Sequence, residues 1–400
     1  MTSLFGAALL ASIPLIAISG FLSNAAYDPR LGGNAVGRHI GTLDFYLFPW
    51  PTHPSWLYAA TQGLHVTLGL AALPLLLAKL WSVIPRLFEW PPARNPAHAL
   101  ERLSLALLVG GALFEFATGI LDIQYAYLFK FFFTDAHYYG AWVFTAAFVF
   151  HAALKFPAMR RALTARGALK PLLDDLAHTQ PEVAESDLVA PHPAPASMSR
   201  RALVGTIGGS SLLLLLQGAG DLIGGPLRAL AVLGPRNRSG SGPNGFQVNR
   251  TARTAQIAGA DTGASWRLSL QGPAKRVDVS RSQLLQMPQH THKLPIACVE
   301  GWSTTQSWSG VRLRDLAALV GAGGKLTVDA QSLEQNGVFA TASLGSEQIA
   351  DERTLLALRV NGAELSLDHG YPARIIGPAL PGVHCTKWVS KLSFRRAGER

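Results

Sequence analysis

Cysteine is scarce in this chain, which has only two among its 400 residues, Cys298 and Cys385. Two cysteines are too few for the framework of a disulfide-stabilised domain, so apolar cores must hold the chain together. Charged residues are also few, at 15%, whereas hydrophobic residues make up 48%. This composition is typical of a protein with membrane spans.

The net charge is +10, but no basic run is interleaved with aromatic residues. We therefore expect no nucleic-acid partner. The positive excess instead favours an anionic ligand or an anionic membrane surface.

Long runs with almost no charge occur only in residues 1–223, and the rest of the chain has the composition of a soluble domain. Five runs are long enough for membrane-spanning helices: Leu4–Leu22, Trp56–Ala78, Leu103–Leu121, Tyr138–Leu154 and Ala202–Gly220. A helix as long as the first run measures about 28 Å, close to the thickness of the hydrocarbon core. The first run could instead be a cleaved signal peptide, although it lacks a basic start.

Lys and Arg are distributed unevenly between these runs. Segments 79–102 and 155–201 contain four and seven of them, whereas segments 23–55 and 122–137 contain two and one. The positive-inside rule then predicts a multi-pass protein of the cell membrane, with a cytoplasmic N-terminus and an extracytoplasmic C-terminal domain.

The predicted domains follow from these boundaries. We expect an all-α transmembrane bundle of four helices over residues 1–160, a cytoplasmic linker over 161–199 and a fifth span over 200–223. An external linker over 224–245 leads to a soluble domain over 246–400.

The soluble domain is predicted to be α+β with a mixed sheet. Short apolar runs indicate strands at Trp266–Leu270, Val277–Val279, Leu294–Val299, Lys325–Val328, Leu355–Val360, Arg374–Ile376 and Trp388–Phe394. Helices are expected at Leu313–Val320 and Ser346–Arg353, and Asn361-Gly362 predicts a two-residue hairpin turn.

Histidines within apolar runs are costly unless they have a function. His65 and His151 lie in the second and fourth runs, which cross the membrane in the same direction, so we expect their imidazoles at similar depth. The pair suits bis-histidine ligation of one b-type haem in a helical bundle. His137 lies 14 residues before His151, a spacing that resembles the histidine pairs of respiratory b-type cytochromes. It is a candidate ligand of a second haem, with His53 or His39 as its partner; the alternative is that these residues only form hydrogen bonds between helices.

A single cysteine follows an apolar strand in the segment Cys298-Val299-Glu300-Gly301-Trp302-Ser303. One thiolate suits a single metal–sulfur bond to a cofactor that carries its other ligands. The segment resembles the molybdenum-binding segment of the sulfite oxidase family, especially of its bacterial branch with the periplasmic methionine sulfoxide reductases. The resemblance implies Cys298 as a ligand of molybdenum that a pterin dithiolene holds.

A second pair of segments adds to this resemblance. Asp368–Arg374 and Lys387-Trp388-Val389 resemble the segments with which that family binds the phosphate of the pterin. The resemblance covers about residues 245–395 and implies a sulfite oxidase-like fold. It also implies that His369, Arg374 and Lys387 bind the cofactor.

Two other interpretations of Cys298 remain open. It could form a disulfide with Cys385, because an exported protein with two cysteines can simply join them. It could also bind zinc together with His290 and His292, although a fourth ligand is missing.

The chain departs from the family's sulfite oxidases just after the cysteine. Those enzymes have further arginines there, whereas Glu300–Gln306 contains none. We therefore expect an activity other than sulfite oxidation. The resemblance to the methionine sulfoxide reductases favours reduction of a small molecule or of a protein side chain outside the cell.

Ser199-Arg200-Arg201 directly precedes the fifth run and resembles a twin-arginine export signal within the chain. An arginine pair that only obeys the positive-inside rule is the alternative. A domain that receives molybdopterin in the cytoplasm must cross the membrane folded, which favours the export signal. The first four spans would then insert through the ordinary threading machinery.

Together these patterns predict a membrane-anchored molybdenum-dependent oxidoreductase. An external molybdopterin domain would exchange electrons with b-type haem in the bundle, and the haem with the quinone pool. A metal-free membrane binding module and an electron-transfer protein with haem alone are the alternatives.

Overall fold

The computed structural model describes residues 1–34, 48–166 apart from 89 and 92, 172–179, 195–234 apart from 233, and 242–398 apart from 336 and 338. The chain forms two compact units. One contains residues 1–19 and 65–218, and the other contains residues 20–64 and 219–400. His39 and parts of both predicted linkers lie outside the described residues.

Five long helices occupy the N-terminal part of the chain: α1 (Thr2–Ala25), α2 (Leu57–Leu87), α3 (Pro96–Ile123), α4 (Phe133–Arg166) and α5 (Arg200–Ile223). Each is long and apolar enough to cross a membrane. The prediction of five apolar helices is therefore confirmed, whereas their insertion and its direction stay predictions.

In the first unit, α3 packs closely against α4. Gly111 of α3 allows the approach, because a Cβ there would lie 3.2 Å from the Cβ of Phe144 on α4. Lys155 of α4 also donates to Glu101 of α3 at 2.6 Å. The buried apolar cluster of this unit consists of Leu9, Ile13, Ala72, Leu76, Ala112 and Phe144.

The second unit is built on two five-stranded sheets. The strands are β1 (Arg267–Gln271), β2 (Arg276–Ser280), β3 (His290–Ala297), β4 (Ser303–Arg312), β5 (Leu326–Ser332), β6 (Thr341–Leu344), β7 (Leu355–Val360), β8 (Ala363–Glu364), β9 (Arg374–Ile376) and β10 (Val389–Arg396). One sheet has the order β2-β1-β10-β5-β6, and the other has the order β3-β4-β7-β8 with β9 also paired to β7. The first sheet is mixed because β1 and β10 are parallel.

Alternating burial explains how the sheets form a core. On β1, Leu268 and Leu270 are fully buried while Arg267 is exposed, which is the period-two pattern of a strand with one apolar face. Three short helices complete the unit: α6 (Arg281–Gln286), α7 (Leu313–Leu319) and α8 (Ser346–Ala350). Ser280 and Gln283 form a capping box at the start of α6.

The expectation of apolar helices followed by a strand-rich domain is confirmed, and each of the seven predicted strands overlaps an observed strand. The sequence patterns did not predict β4, β6, β8 or α6. The predicted mixed sheet is present, but an antiparallel second sheet accompanies it. The predicted domain boundaries stay a prediction.

Candidate functional site

Cys298 lies in a tight turn directly after β3. The backbone N–H of Cys298 donates to the carbonyl oxygen of Trp302, and the N–H of Gly301 donates to the carbonyl oxygen of Cys298, both at 3.0 Å. Gly301 has a φ of +92°, a left-handed conformation that favours glycine. The indole of Trp302 donates to Glu300 at 2.7 Å, so the turn is closed by side chains as well as by backbone.

One cavity brings Cys298 together with the three predicted cofactor residues, His369, Arg374 and Lys387. The remaining lining residues are Phe246, Gln247, Asn249, Ile296, Ala297, Trp302 and Gly382. Residues distant in sequence therefore meet at one site, as the two motifs predicted.

His369 is almost completely buried in the wall of this cavity. Its ring stacks on Phe246 with the centroids 3.7 Å apart. Burial, and then the charges of Arg374 and Lys387, lower the pKa of His369 to about 3, so the ring is neutral at neutral pH. Its Nε2 atom is buried without a hydrogen-bond partner among the described residues.

Arg374 is a fully buried cation. Its two terminal nitrogens donate to the carbonyl oxygens of His369 and Cys385, each at 3.1 Å, and its guanidinium carbon lies 5.1 Å from the ring centroid of Trp308. Burial lowers the pKa of Arg374 to about 10, which still leaves it charged at neutral pH. The Nε atom has no partner within the described part of the chain.

Lys387 provides a second basic group, which is half-buried. Its Nζ atom donates to Asn249 Oδ1 at 3.0 Å and to the carbonyl oxygens of Arg250 and Asp368 at 2.9 and 2.8 Å. Burial and the charge of Arg374 lower the pKa of Lys387 well below its usual value, while the negative charge of the Cys298 thiolate opposes this shift.

These residues fit an anionic cofactor that binds through one metal–sulfur bond. The cavity is lined by a thiol, by the buried Arg374 and the half-buried Lys387, and by two buried nitrogens, His369 Nε2 and Arg374 Nε, that have no hydrogen-bond partner among the described residues. Unsatisfied buried nitrogens are costly, and a polar ligand would remove that cost. The chemistry of this set therefore agrees with molybdenum bound by Cys298 and a pterin phosphate beside the cations.

The two other interpretations of Cys298 are not supported. Cys298 and Cys385 are both buried and form no disulfide. Burial raises the pKa of Cys385, whose carbonyl oxygen instead accepts from Arg374. His290 lies at the opposite end of β3 from Cys298, and no group of three potential metal ligands occurs among the described residues.

Phe246 and Asn249 belong to the site but were not predicted. Phe246 supports His369 by stacking, and Asn249 accepts from Lys387. Neither residue stands in a pattern that indicates a cofactor, so no signal in the sequence identifies them.

Comparison with known families agrees with this geometry. Residues 255–399 match the family model of the oxidoreductase molybdopterin-binding domain. This part of the chain is therefore similar to oxidoreductase domains that bind molybdopterin. The predictions of an oxidoreductase and of molybdopterin are thereby confirmed.

Similar proteins match the molybdopterin-binding domain only in part. The chain is 29% identical over 133 residues to the uncharacterized oxidoreductase YuiH of Bacillus subtilis. The aligned residues make up 33% of this chain and 66% of that protein. It is 31% identical over 101 residues to sulfite oxidase of Arabidopsis thaliana, covering 22% of this chain and 25% of that enzyme. The crystal structure of the sulfane dehydrogenase SoxCD from Paracoccus pantotrophus aligns with a TM-score of 0.31 and 24% identity, over 33% of this chain and 38% of that one. The chain therefore spans at most 66% of the length of these relatives.

Outside the molybdopterin-binding domain, two of the predicted haem ligands come together in the first unit. The ring centroids of His65 and His137 lie 5.9 Å apart, with the ring planes at 83°. His65 Nδ1 is 2.9 Å from the carbonyl oxygen of Ile16. His137 Nδ1 is 2.9 Å from Thr118 Oγ1 and 3.2 Å from a carboxylate oxygen of Glu115. In both rings Nδ1 is within hydrogen-bonding distance of an oxygen atom, which leaves Nε2 as the nitrogen that could bind a metal.

His151 is not the partner of His65. It follows His137 by 14 residues on α4, and such a separation corresponds to about 21 Å along a helix. Its electrostatic neighbours are Lys155, Lys79 and Glu101. In the structure His65 therefore lies against His137, and haem ligation by His65, His137 or His151 stays a prediction.

His53 was the other histidine predicted as a possible ligand of a second haem. It is an exposed residue of the second unit, where its Nε2 is 3.5 Å from Asp351 and 3.0 Å from a guanidinium nitrogen of Arg353. These contacts explain its position without a metal.

Proposed function

We propose that this protein is a membrane-anchored molybdenum-dependent oxidoreductase, in which an extracytoplasmic molybdopterin domain exchanges electrons with b-type haem in the helical part. The cavity that joins the Cys298 thiol to His369, Arg374 and Lys387 carries the proposal. The Cys298 thiolate would bind the metal, and the two cations would neutralise the phosphate with charge-assisted hydrogen bonds. The bound cofactor would supply two-electron oxygen-atom transfer.

The helices support membrane anchoring. Large apolar side chains are exposed along them, for example Trp81 on α2 at 80% and Leu213 on α5 at 62%. Such surfaces are stable in lipid, and helices satisfy their own backbone hydrogen bonds there. The distribution of Lys and Arg between the helices supports an external molybdopterin domain. The pair Arg200-Arg201 at the start of α5 supports export of that domain by the twin-arginine machinery, after the threading machinery has inserted the first four helices.

Haem ligation by His65 and His137 is supported by the distance between them. Two imidazoles that are to hold one iron ion would need to lie within several ångströms of each other. The observed separation is 5.9 Å. The hydrogen bonds at both Nδ1 atoms would keep the rings oriented for ligation. We propose one haem, with the quinone pool as the partner that exchanges electrons with it.

Helix α2 carries residues that belong to both parts of this proposal. Gln62 donates to the carbonyl oxygen of Val299, the residue next to Cys298, at 2.7 Å. His65 follows three residues later on the same helix.

The proposed substrate is a small molecule or a protein side chain that is reduced outside the cell. The absence of arginine from Glu300–Gln306 argues against sulfite. The direction of reduction rests on the resemblance to the methionine sulfoxide reductases.

Elemental analysis of the purified protein from a molybdate-replete host tests the proposal. We expect about one molybdenum per chain, and its loss in Cys298→Ser with an unchanged haem spectrum, because other residues bind the haem. Protein with haem but no molybdenum would be an electron-transfer protein without the proposed enzyme activity. Protein with neither cofactor would support the metal-free binding module.

A further inference from the structure

Two residues from outside the matched segment 255–399 contact the loops around Cys298. Gln62, which is only 7% exposed, donates from Nε2 to the carbonyl oxygen of Val299 at 2.7 Å. Trp50, at 4% exposed, donates from Nε1 to the carbonyl oxygen of Ala379 at 2.7 Å. The Trp50 hydrogen bond is buried and the Gln62 hydrogen bond is part-buried, and removing either donor would leave a carbonyl oxygen that is shielded from water without this partner.

The loop that Trp50 holds lies directly beside Cys298. Ala297, the residue before the cysteine, pairs with Pro381 in an isolated parallel bridge. Gly382 packs so closely that a Cβ there would lie 2.6 Å from the carbonyl oxygen of Ala297 and 3.7 Å from the Cα of Cys298. A shift of this loop would therefore change the surroundings of the thiol.

Ala379 needs support from its neighbours because its backbone is strained. Its φ of +55° lies in the left-handed region, which costs a residue with a Cβ roughly 1–2 kcal/mol. The N–H of Ala379 donates to the carbonyl oxygen of Ser55 at 2.9 Å, and its own carbonyl oxygen accepts from Trp50. Both backbone groups of the strained residue are thus held by the segment that precedes α2.

An apolar cluster joins the same parts of the chain. Its buried members are Ala25, Ala26, Trp50, Tyr58, Ala59, Ala297 and Ala379. Ala297, the residue before Cys298, is therefore held by apolar packing with Trp50 and Ala379. Val299, the residue after it, is held by the hydrogen bond from Gln62.

We propose that Gln62 and Trp50 are positioning residues of the Cys298 site. Gln62 fixes the turn after the cysteine, and Trp50 fixes the loop beside it, so that the thiol stays shielded and oriented for its metal. This inference rests on the proposed function, in which Cys298 is the ligand of molybdenum. It assigns to Trp50 and to Gln62 on α2 a part of the metal site that the matched segment alone does not contain.

Alkylation of Cys298 by iodoacetamide tests this role in the full-length, detergent-solubilised protein prepared without molybdate. Mass spectrometry of the cysteine peptides reports Cys298 and Cys385 separately. If reaction of the buried thiol requires local opening, Gln62→Leu and Trp50→Phe should each raise the Cys298 rate about tenfold, which corresponds to ~1.4 kcal/mol. In Gln62→Leu the rate of Cys385 should stay at the parental value.

Two matched variants control for the loss of polar groups elsewhere. Thr61→Val removes a buried hydroxyl that bonds only to Tyr58 within α2. Trp266→Phe removes a buried indole N–H that has no partner among the described residues. Both should alkylate Cys298 at the parental rate.

Unchanged Cys298 rates in Gln62→Leu and Trp50→Phe would overturn the inference. An equal rise at Cys298 and Cys385 in Gln62→Leu, with a lower melting temperature, would also overturn it, because it would indicate general destabilisation. Molybdenum analysis of the parent protein decides the proposed function separately, since the alkylation rates are measured in metal-free protein.

Discussion

Two buried histidines should make the molybdopterin domain sensitive to mild acid. Burial lowers the pKa of His384 to about 4. Burial and the charges of Arg374 and Lys387 lower that of His369 to about 3. Histidine in an unfolded chain titrates near pH 6.5. Between pH 7 and pH 5 the unfolded state therefore takes up protons that the folded state does not, and the free energy of unfolding falls as the pH decreases.

The size of this effect follows from the two pKa values. Between pH 7 and pH 5 each histidine should cost roughly 2 kcal/mol of stability, and both together roughly 4 kcal/mol. A typical domain has a free energy of unfolding of about 5–15 kcal/mol, so the loss is substantial. Asp351, whose pKa is lowered to about 2, changes protonation only below this window and does not contribute to the loss.

His384→Phe isolates one of the two contributions. Phenylalanine keeps an aromatic ring against Tyr27, whose ring centroid lies 5.5 Å from that of His384, but it cannot titrate. Urea unfolding followed by tryptophan fluorescence should show a loss of roughly 4 kcal/mol in the parent and roughly 2 kcal/mol in the variant between pH 7 and pH 5. Each protein is compared with itself, so a constant effect on packing cancels. Equal losses in both proteins would show that His384 takes up its proton while folded, and would refute the reasoning.

The other predictions concern haem, cofactor retention and export. His137→Ala should abolish the b-type α band of a reduced-minus-oxidised spectrum and His151→Ala should retain it, whereas the reverse result would favour the pairing with His151. Lys387→Met leaves two backbone carbonyl oxygens without their donor, so molybdenum retained after gel filtration should fall roughly tenfold. If the variant retains all of its molybdenum, Lys387 does not contribute to cofactor binding. Lysine at both Arg200 and Arg201 preserves the charge but not the twin-arginine signature. The C-terminal domain should then stay in the cytoplasm, protected from protease added outside. If a molybdenum-containing domain is still exported at the parental level, Arg200 and Arg201 determine only the topology of the helices and are not an export signal.

The residues proposed to bind the metal and the phosphate could be singled out from the sequence because each lies in a short contiguous segment. Cys298, His369, Arg374 and Lys387 all line one cavity, as the two motifs indicated. Asn249 could not be found in the same way, because its contact with Lys387 joins residues 138 positions apart. A contact of that kind depends on the fold and leaves no trace in local sequence.

Strand β4, which the sequence patterns did not predict, is stabilised by hydrogen bonds to its neighbouring strands more than by apolar residues of its own. Strand β4 reads Ser-Thr-Thr-Gln-Ser-Trp-Ser-Gly-Val-Arg, which has little apolar character. It nevertheless lies between β3 and β7, so neighbouring strands satisfy the backbone hydrogen bonds on both edges. Local propensity is a weak guide for such a central strand.

The depth of the histidines was misjudged because a charge-free run does not mark the start of a helix. Helix α4 begins at Phe133 and extends over 34 residues, so His137 is in its second turn and His151 is far beyond it. Helix α2 begins at Leu57, which places His65 only eight residues into that helix. Counting from these starts favours His137 as the partner of His65, and the ring contact between them agrees.

Arg374 and Lys387 make the stability of the domain depend on its cofactor. Their hydrogen bonds go to amide and carbonyl oxygens, and neither forms an ion pair with a carboxylate among the described residues. Buried and half-buried cations without an anionic partner lose hydration that such bonds replace only in part. An anionic ligand in the cavity would restore the missing attraction, and any ligand that binds only the folded state also shifts the folding equilibrium toward it. The same charges that would hold the pterin phosphate therefore make the empty domain the less stable form, which favours loading before export.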